Sequence, residues 1–89
     1  MGRRYRDEYN EEAAAGFERA VGRELGRARS RAGIEMGAAA MKAGVEIRTI
    51  AAMECGDRGV RLGTVYLAAR AVGVELSDLV KAAEKAGEG

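Results

Sequence analysis

Glycine supplies all of the punctuation in this chain, because there is no proline to share it. Gly33, Gly44, Gly56, Gly59 and Gly73 cut the sequence into pieces of helical length. Each piece ends on a residue that tolerates the left-handed conformation in which helices commonly stop. The alternating runs of Val, Ile and Thr that strands need are missing. The chain of 89 residues therefore reads as one small all-α domain.

The first piece carries Tyr5, Tyr9, Ala13, Phe17, Ala20, Val21, Leu25 and Ala28 at three- and four-residue steps, one apolar stripe along a helix. Unbroken from Tyr5 to Ala32, that helix would measure ~42 Å, more than a body this small can cover. An interior glycine costs ~1 kcal/mol relative to alanine, so Gly16 is a natural point of division. The sequence predicts a loosely held helical extension over 1–16 and a domain over 17–86 that opens with a helix from Phe17 to Ala32. Further helices are predicted over Glu35–Lys42, Glu46–Cys55, Leu62–Val72 and Ser77–Ala86, the last with Ser77 as its N-cap and Asp78 favourable to the helix dipole. Val21, Leu25, Ile34, Ala39, Val45, Ile50, Met53, Leu62, Val65, Ala69, Val72, Leu76 and Leu79 would face inward. Large core-forming side chains are few, since 18 of the hydrophobic residues are alanine. A chain of this size buries only about 60–65% of its unfolded surface, so close packing of small residues, or a partner chain, has to help.

The same composition removes several functions. One cysteine and no histidine leave no disulfide framework, no zinc site of the Cys₂His₂ or Cys₄ kind and no ordinary catalytic triad. Carboxylates and arginines are abundant, but at ordinary surface spacing along helices. Neither an enzyme nor a cofactor is expected, and Cys55 reads as a small half-buried thiol. No uncharged run approaches the ~20 residues of a membrane span. Arg3, Arg4 and Arg6 are followed by Asp7, Glu8, Glu11 and Glu12, where a secretory signal would place an apolar core. A cytoplasmic protein is expected.

Two short helices joined around a glycine, with a hydrophobic residue just after it, form the helix-turn-helix signature. Here the turn is Lys42-Ala43-Gly44-Val45-Glu46. A wider pattern surrounds it: Val21-Gly22-Arg23-Glu24-Leu25, Arg29, Ala32-Gly33-Ile34, Thr49-Ile50, Met53-Glu54, Gly56 and Leu62-Gly63-Thr64-Val65. The closing element is Ala69-Arg70-Ala71-Val72-Gly73-Val74 with Leu76, Asp78 and Leu79. Over roughly residues 17–80 this pattern resembles the Cro and phage-repressor helix-turn-helix family. The resemblance implies a five-helix repressor-like domain, here with an additional N-terminal helical extension. It also places Arg29 and Glu54 where the family often joins its first and third helices by a partly buried ion pair.

In that family the third helix enters the major groove and the side chains near its N-terminus meet base edges. Carried over, the base-facing positions are Glu46, Ile47, Arg48, Ala51 and Ala52, with Met36 and Gly37 at the start of the second helix. Only Arg48 can make the bidentate contact to guanine; Ile47 and Ala52 can touch thymine methyls. Lys42, Thr49, Arg58 and Arg61 are placed for phosphate oxygens. Residues 34–61 carry Lys42, Arg48, Arg58 and Arg61 against Glu35, Glu46, Glu54 and Asp57, a net charge of zero in the region that should face DNA.

Two functions stay open on this reading. One is a sequence-specific, DNA-binding transcriptional regulator acting on double-stranded DNA as a homodimer, with Tyr5, Tyr9 and Phe17 of the extension as the dimerisation stripe. The other is a helix-turn-helix scaffold turned to protein contacts, with Met36, Met41 and Ile47 in an exposed apolar patch.

Overall fold

The computed structural model describes the backbone of residues 2–57 and 59–88, and the side chains of 10–57 and 59–86. Arg58 and the side chains of Tyr5 and Tyr9 lie outside the described residues. Within them the chain forms five helices and no strand: α1 (Gly2–Ala32), α2 (Met36–Ala43), α3 (Ile47–Cys55), α4 (Leu62–Ala71) and α5 (Leu76–Glu88).

The first helix is not divided at Gly16. It runs unbroken for 31 residues, about 46 Å at the standard rise, and it accounts for most of the molecule's 48 Å long axis, against 24 and 18 Å across. Gly16 sits among good helix formers, Ala13, Ala14, Ala15, Glu18 and Arg19, whose summed propensity outweighs one glycine. The part that belongs to the body is the C-terminal half, where Ala20, Val21, Leu25 and Ala28 are buried. This half packs against α5 and α3; α2 packs on α3 and α4, and α4 on α5.

The helix stops share one mechanism, seen well at the turn between α2 and α3. Gly44 adopts φ 74°, and the Val45 N–H reaches back to the Ala40 carbonyl at 3.0 Å. That six-residue closure satisfies a carbonyl the helix would otherwise leave bare, and it needs a left-handed residue at its centre. Gly33, Gly56 and Gly73 close their helices with the same bond, from Ile34 to Arg29, Asp57 to Ala52 and Val74 to Ala69. Gly59 plays a different part: it lies in the loop between α3 and α4, with the Glu18 carboxylate against its α-carbon.

The starts are less well marked. Ser77 is not the cap of the last helix; α5 begins at Leu76, and the Glu75 carbonyl accepts from the Asp78 and Leu79 N–H groups. Leu79 and Ala83 are buried and Leu76 packs against the core, so burial of that stripe draws the helix start ahead of the better capping residue.

The core is built of small parts. Among the described residues eight of the fifteen buried hydrophobic ones are alanine, and Leu25, Ile50 and Val65 are the largest side chains wholly inside. Such residues stabilise only if helices approach closely. At the crossing of α1 and α3 a methyl group placed on Gly22 would stand 1.9 Å from the Met53 carbonyl oxygen, so the contact exists only because residue 22 has no side chain. Leu62, expected inside, is 69% exposed. The buried face of α4 is set by Val65, Ala68 and Ala69, and Leu62 lies a turn earlier, at the open rim of an apolar depression whose floor includes Val21 and Val65.

Candidate nucleic-acid interface

The body of the molecule fixes α3 before any surface residue matters. Ile50 and Met53 are buried on its inner face. Arg29 holds it from behind: its Nε and Nη2 donate to the two carboxylate oxygens of Glu54 at 2.7 and 2.9 Å, and its Nη1 donates to the Ile34 carbonyl at 2.8 Å. One guanidinium thus ties α1, α3 and the turn between α1 and α2. The two side chains are only 17% and 11% exposed. Hydrogen bonds to Glu54 raise the Arg29 pKa above its ordinary value; burial works against that rise and the Glu54 charge adds to it.

With its inner face anchored, α3 presents the other side outward. Ile47 and Arg48 are exposed in its first turn, while Thr49, Ala51 and Ala52 are half-buried. Arg48, Thr49, Ala52 and Met53 line one wall of an open groove of about 440 Å³, and Gly59, Arg61 and Thr64 line the other. Four residues singled out in the sequence for two different tasks, Arg48 and Ala52 for bases and Thr49 and Arg61 for phosphates, therefore share one depression. Thr64 has no assigned role in the sequence reading. The signal for it is its place one turn after Arg61 on α4, a polar residue beside the buried Val65.

Other candidates stand apart from the groove. Lys42 is exposed in the last turn of α2. Ile47, 53% exposed, leans over the first turn of α2, its Cδ1 3.8 Å from where a methyl on Gly37 would lie. Met41 is 82% exposed, but Met36 packs against the core, so the apolar patch is smaller than the sequence suggests. Cys55 is free and exposed at the end of α3, not half-buried.

The extension has a counterpart on the body. Phe17 and Leu62 are both exposed, and with Val21, Val60, Leu76 and Val80 they edge an apolar depression of about 190 Å³ between α1, α4 and α5. Tyr66 and Leu67 add exposed apolar surface to α4, and the Arg70 guanidinium lies 5.7 Å from the Tyr66 ring centre.

Among the described residues no group of three or more His, Cys, Asp or Glu side chains is placed to hold a metal ion. Nor is any helix among them long and apolar enough to cross a membrane. No protein-family model matches the chain, and no curated protein or solved structure matches it either.

Proposed function

We propose that this chain is a sequence-specific DNA-binding regulator of the Cro and phage-repressor helix-turn-helix type. In this reading α2 and α3 are the two helices of the motif and α3 enters the major groove. The observation that carries it is the shared groove. A guanine-competent side chain, Arg48, and a phosphate-competent one, Arg61, line the same open depression beside the exposed start of α3. The glycine-centred turn at Gly44 supports it as well. Thr49, Lys42 and Arg58 complete the phosphate contacts, and Ile47 and Ala52 lie against thymine methyls where the site offers them. A homodimer on a two-fold site fits the thin reading surface, and Phe17 beside Leu62 is the surface it would use, with Tyr5 and Tyr9 further along α1.

The test is binding to the DNA upstream of the chain's own gene, measured by fluorescence anisotropy at 50 and 200 mM salt. The reading requires a complex at 50 mM that weakens with salt, and a loss of roughly 10- to 100-fold in Arg48→Ala, the worth of a bidentate guanine contact. No complex at 50 mM salt, or an unchanged Arg48→Ala, overturns it.

Met41 and Ile47, both strongly exposed, favour a second reading, a scaffold for protein contacts. Under it the chain shifts no DNA and co-purifies with one protein from its host. Ile47→Glu then loses that protein.

A further inference from the structure

The first turn of α3 holds a guanidinium and a carboxylate in contact. Arg48 Nε donates to Glu46 Oε1 at 2.7 Å, and the two side chains are 84% and 68% exposed. A pair this open adds little to the stability of the fold, so folding does not account for it. Glu46 also forgoes the obvious local role. It is the N-cap residue of α3, yet its carboxylate makes no capping hydrogen bond and turns to Arg48 instead.

The pairing leaves a defined set of free atoms. Nη1 and Nη2 of Arg48 remain as two donors, and Oε2 of Glu46 remains as one acceptor. Together they offer two donors and an acceptor. The major-groove edge of a G·C pair reads acceptor at guanine N7, acceptor at O6 and donor at the cytosine 4-amino group, in that order. An A·T pair reads acceptor, donor, acceptor and then a methyl group, so the same array satisfies only two of its positions, one Nη on adenine N7 and Oε2 on the 6-amino group, against three on G·C.

We infer that Glu46 and Arg48 act as one unit that reads a G·C base pair, Arg48 on guanine N7 and O6 and Glu46 on the cytosine amino group. The inference rests on the DNA-binding reading above and gives its site a base preference. It also explains a carboxylate at a surface that should face phosphates. Glu46 weakens binding to every duplex through charge repulsion, and only a correctly placed cytosine donor offsets that loss. Glu46 is thus a specificity residue whose removal makes the protein stickier and less selective.

The experiment begins with selection of duplexes from a library of twelve randomised base pairs at 50 mM salt. Dissociation constants follow on the selected duplex and on two analogues. One carries 7-deazaguanine, which lacks N7; the other carries 2-pyrimidinone in place of the cytosine, which lacks the 4-amino group. The wild type should lose roughly tenfold on each analogue, a contact's worth of discrimination. Glu46→Ala should lose affinity on 7-deazaguanine alone, and should bind scrambled duplexes several-fold tighter than the wild type. Both proteins should melt at the same temperature, since the pair is exposed. If 2-pyrimidinone weakens the wild type and Glu46→Ala equally, or not at all, the role given to Glu46 is overturned while DNA binding stands. If no duplex is enriched, the DNA-binding reading fails and this inference fails with it.

Discussion

Arg29 spends three of its donors on Glu54 and the Ile34 carbonyl in a largely enclosed site. Removing its partner is therefore worse than removing both. Glu54→Ala should destabilise the fold by about 3 kcal/mol, because it leaves a guanidinium enclosed and uncompensated. That corresponds to a fall in Tm of about 12 °C or more for a domain of this size. Arg29→Met with Glu54→Leu should be destabilised less than Glu54→Ala, and urea denaturation of the three proteins checks the order. Two glycines make a second contrast within the same helix. Gly22→Ala drives a methyl group into the Met53 carbonyl, backbone that cannot step aside, and should be destabilised by about 2–3 kcal/mol despite alanine's better helix propensity. At Gly16 the nearest atom is the Arg19 Nη2 at 3.9 Å, so Gly16→Ala should be stabilised by about 0.5–1 kcal/mol. If both substitutions move the urea midpoint in the same direction, the close approach of α1 and α3 is wrong. The pairing of Arg29 with Glu54 is reached in the sequence only through the family resemblance, and the contrast between the two glycines is not reached at all. Arg29 and Glu54 lie 25 positions apart, and Gly22 looks no different there from Gly16.

At the scale of the element, α1 is two things in one rod. No residue among those described before Ala20 is buried, so the fold does not depend on its first turns. Deletion of residues 2–13 should leave Tm within a few degrees of the full chain. If the chain is the proposed homodimer and pairs through the stripe of Tyr5, Tyr9 and Phe17, the deletion should also reduce the mass seen by light scattering from dimer to monomer. A truncated protein that keeps the dimer mass moves the interface to α4, where Leu62, Tyr66 and Leu67 are exposed. The apolar period along α1 is legible from the first reading. The unbroken passage through Gly16 is not, because it depends on the summed preference of the flanking residues against a single unfavourable one. Leu62 is a like case: its type says core, and its place at the open rim of the depression beside Phe17 leaves it exposed.

The whole molecule carries a formal charge of +1, so no general field draws it to DNA. Under the proposed function the affinity comes from a few cations, Lys42, Arg58 and Arg61, on phosphates in each protomer of the proposed dimer. Three such contacts give a slope of log K against log salt of about −3 per protomer and about −5 for a dimer. From 50 to 200 mM salt the affinity should then fall roughly 40-fold per protomer. A dimer slope steeper than about −8 would bring in Arg3, Arg4 and Arg6 as a basic arm. A slope near zero would remove the phosphate contacts altogether.

The helical class, the approximate limits of the four later helices and the residues that stop them follow from rules that act over a few positions. Hydrogen bonds to the fourth or fifth residue back, the period of the apolar stripe and the left-handed freedom of glycine all operate before the chain has packed. That is why an all-helical chain with stops at Gly33, Gly44, Gly56 and Gly73 can be read directly from the amino acids. The site is another matter. Arg61 and Thr64 meet Arg48, Thr49 and Ala52 across a groove only after α3 has been set by Arg29, Glu54 and the bare α-carbon of Gly22. These contacts depend on how helices cross. Crossing is set by every close-packed residue at once, so tertiary packing alone decides it.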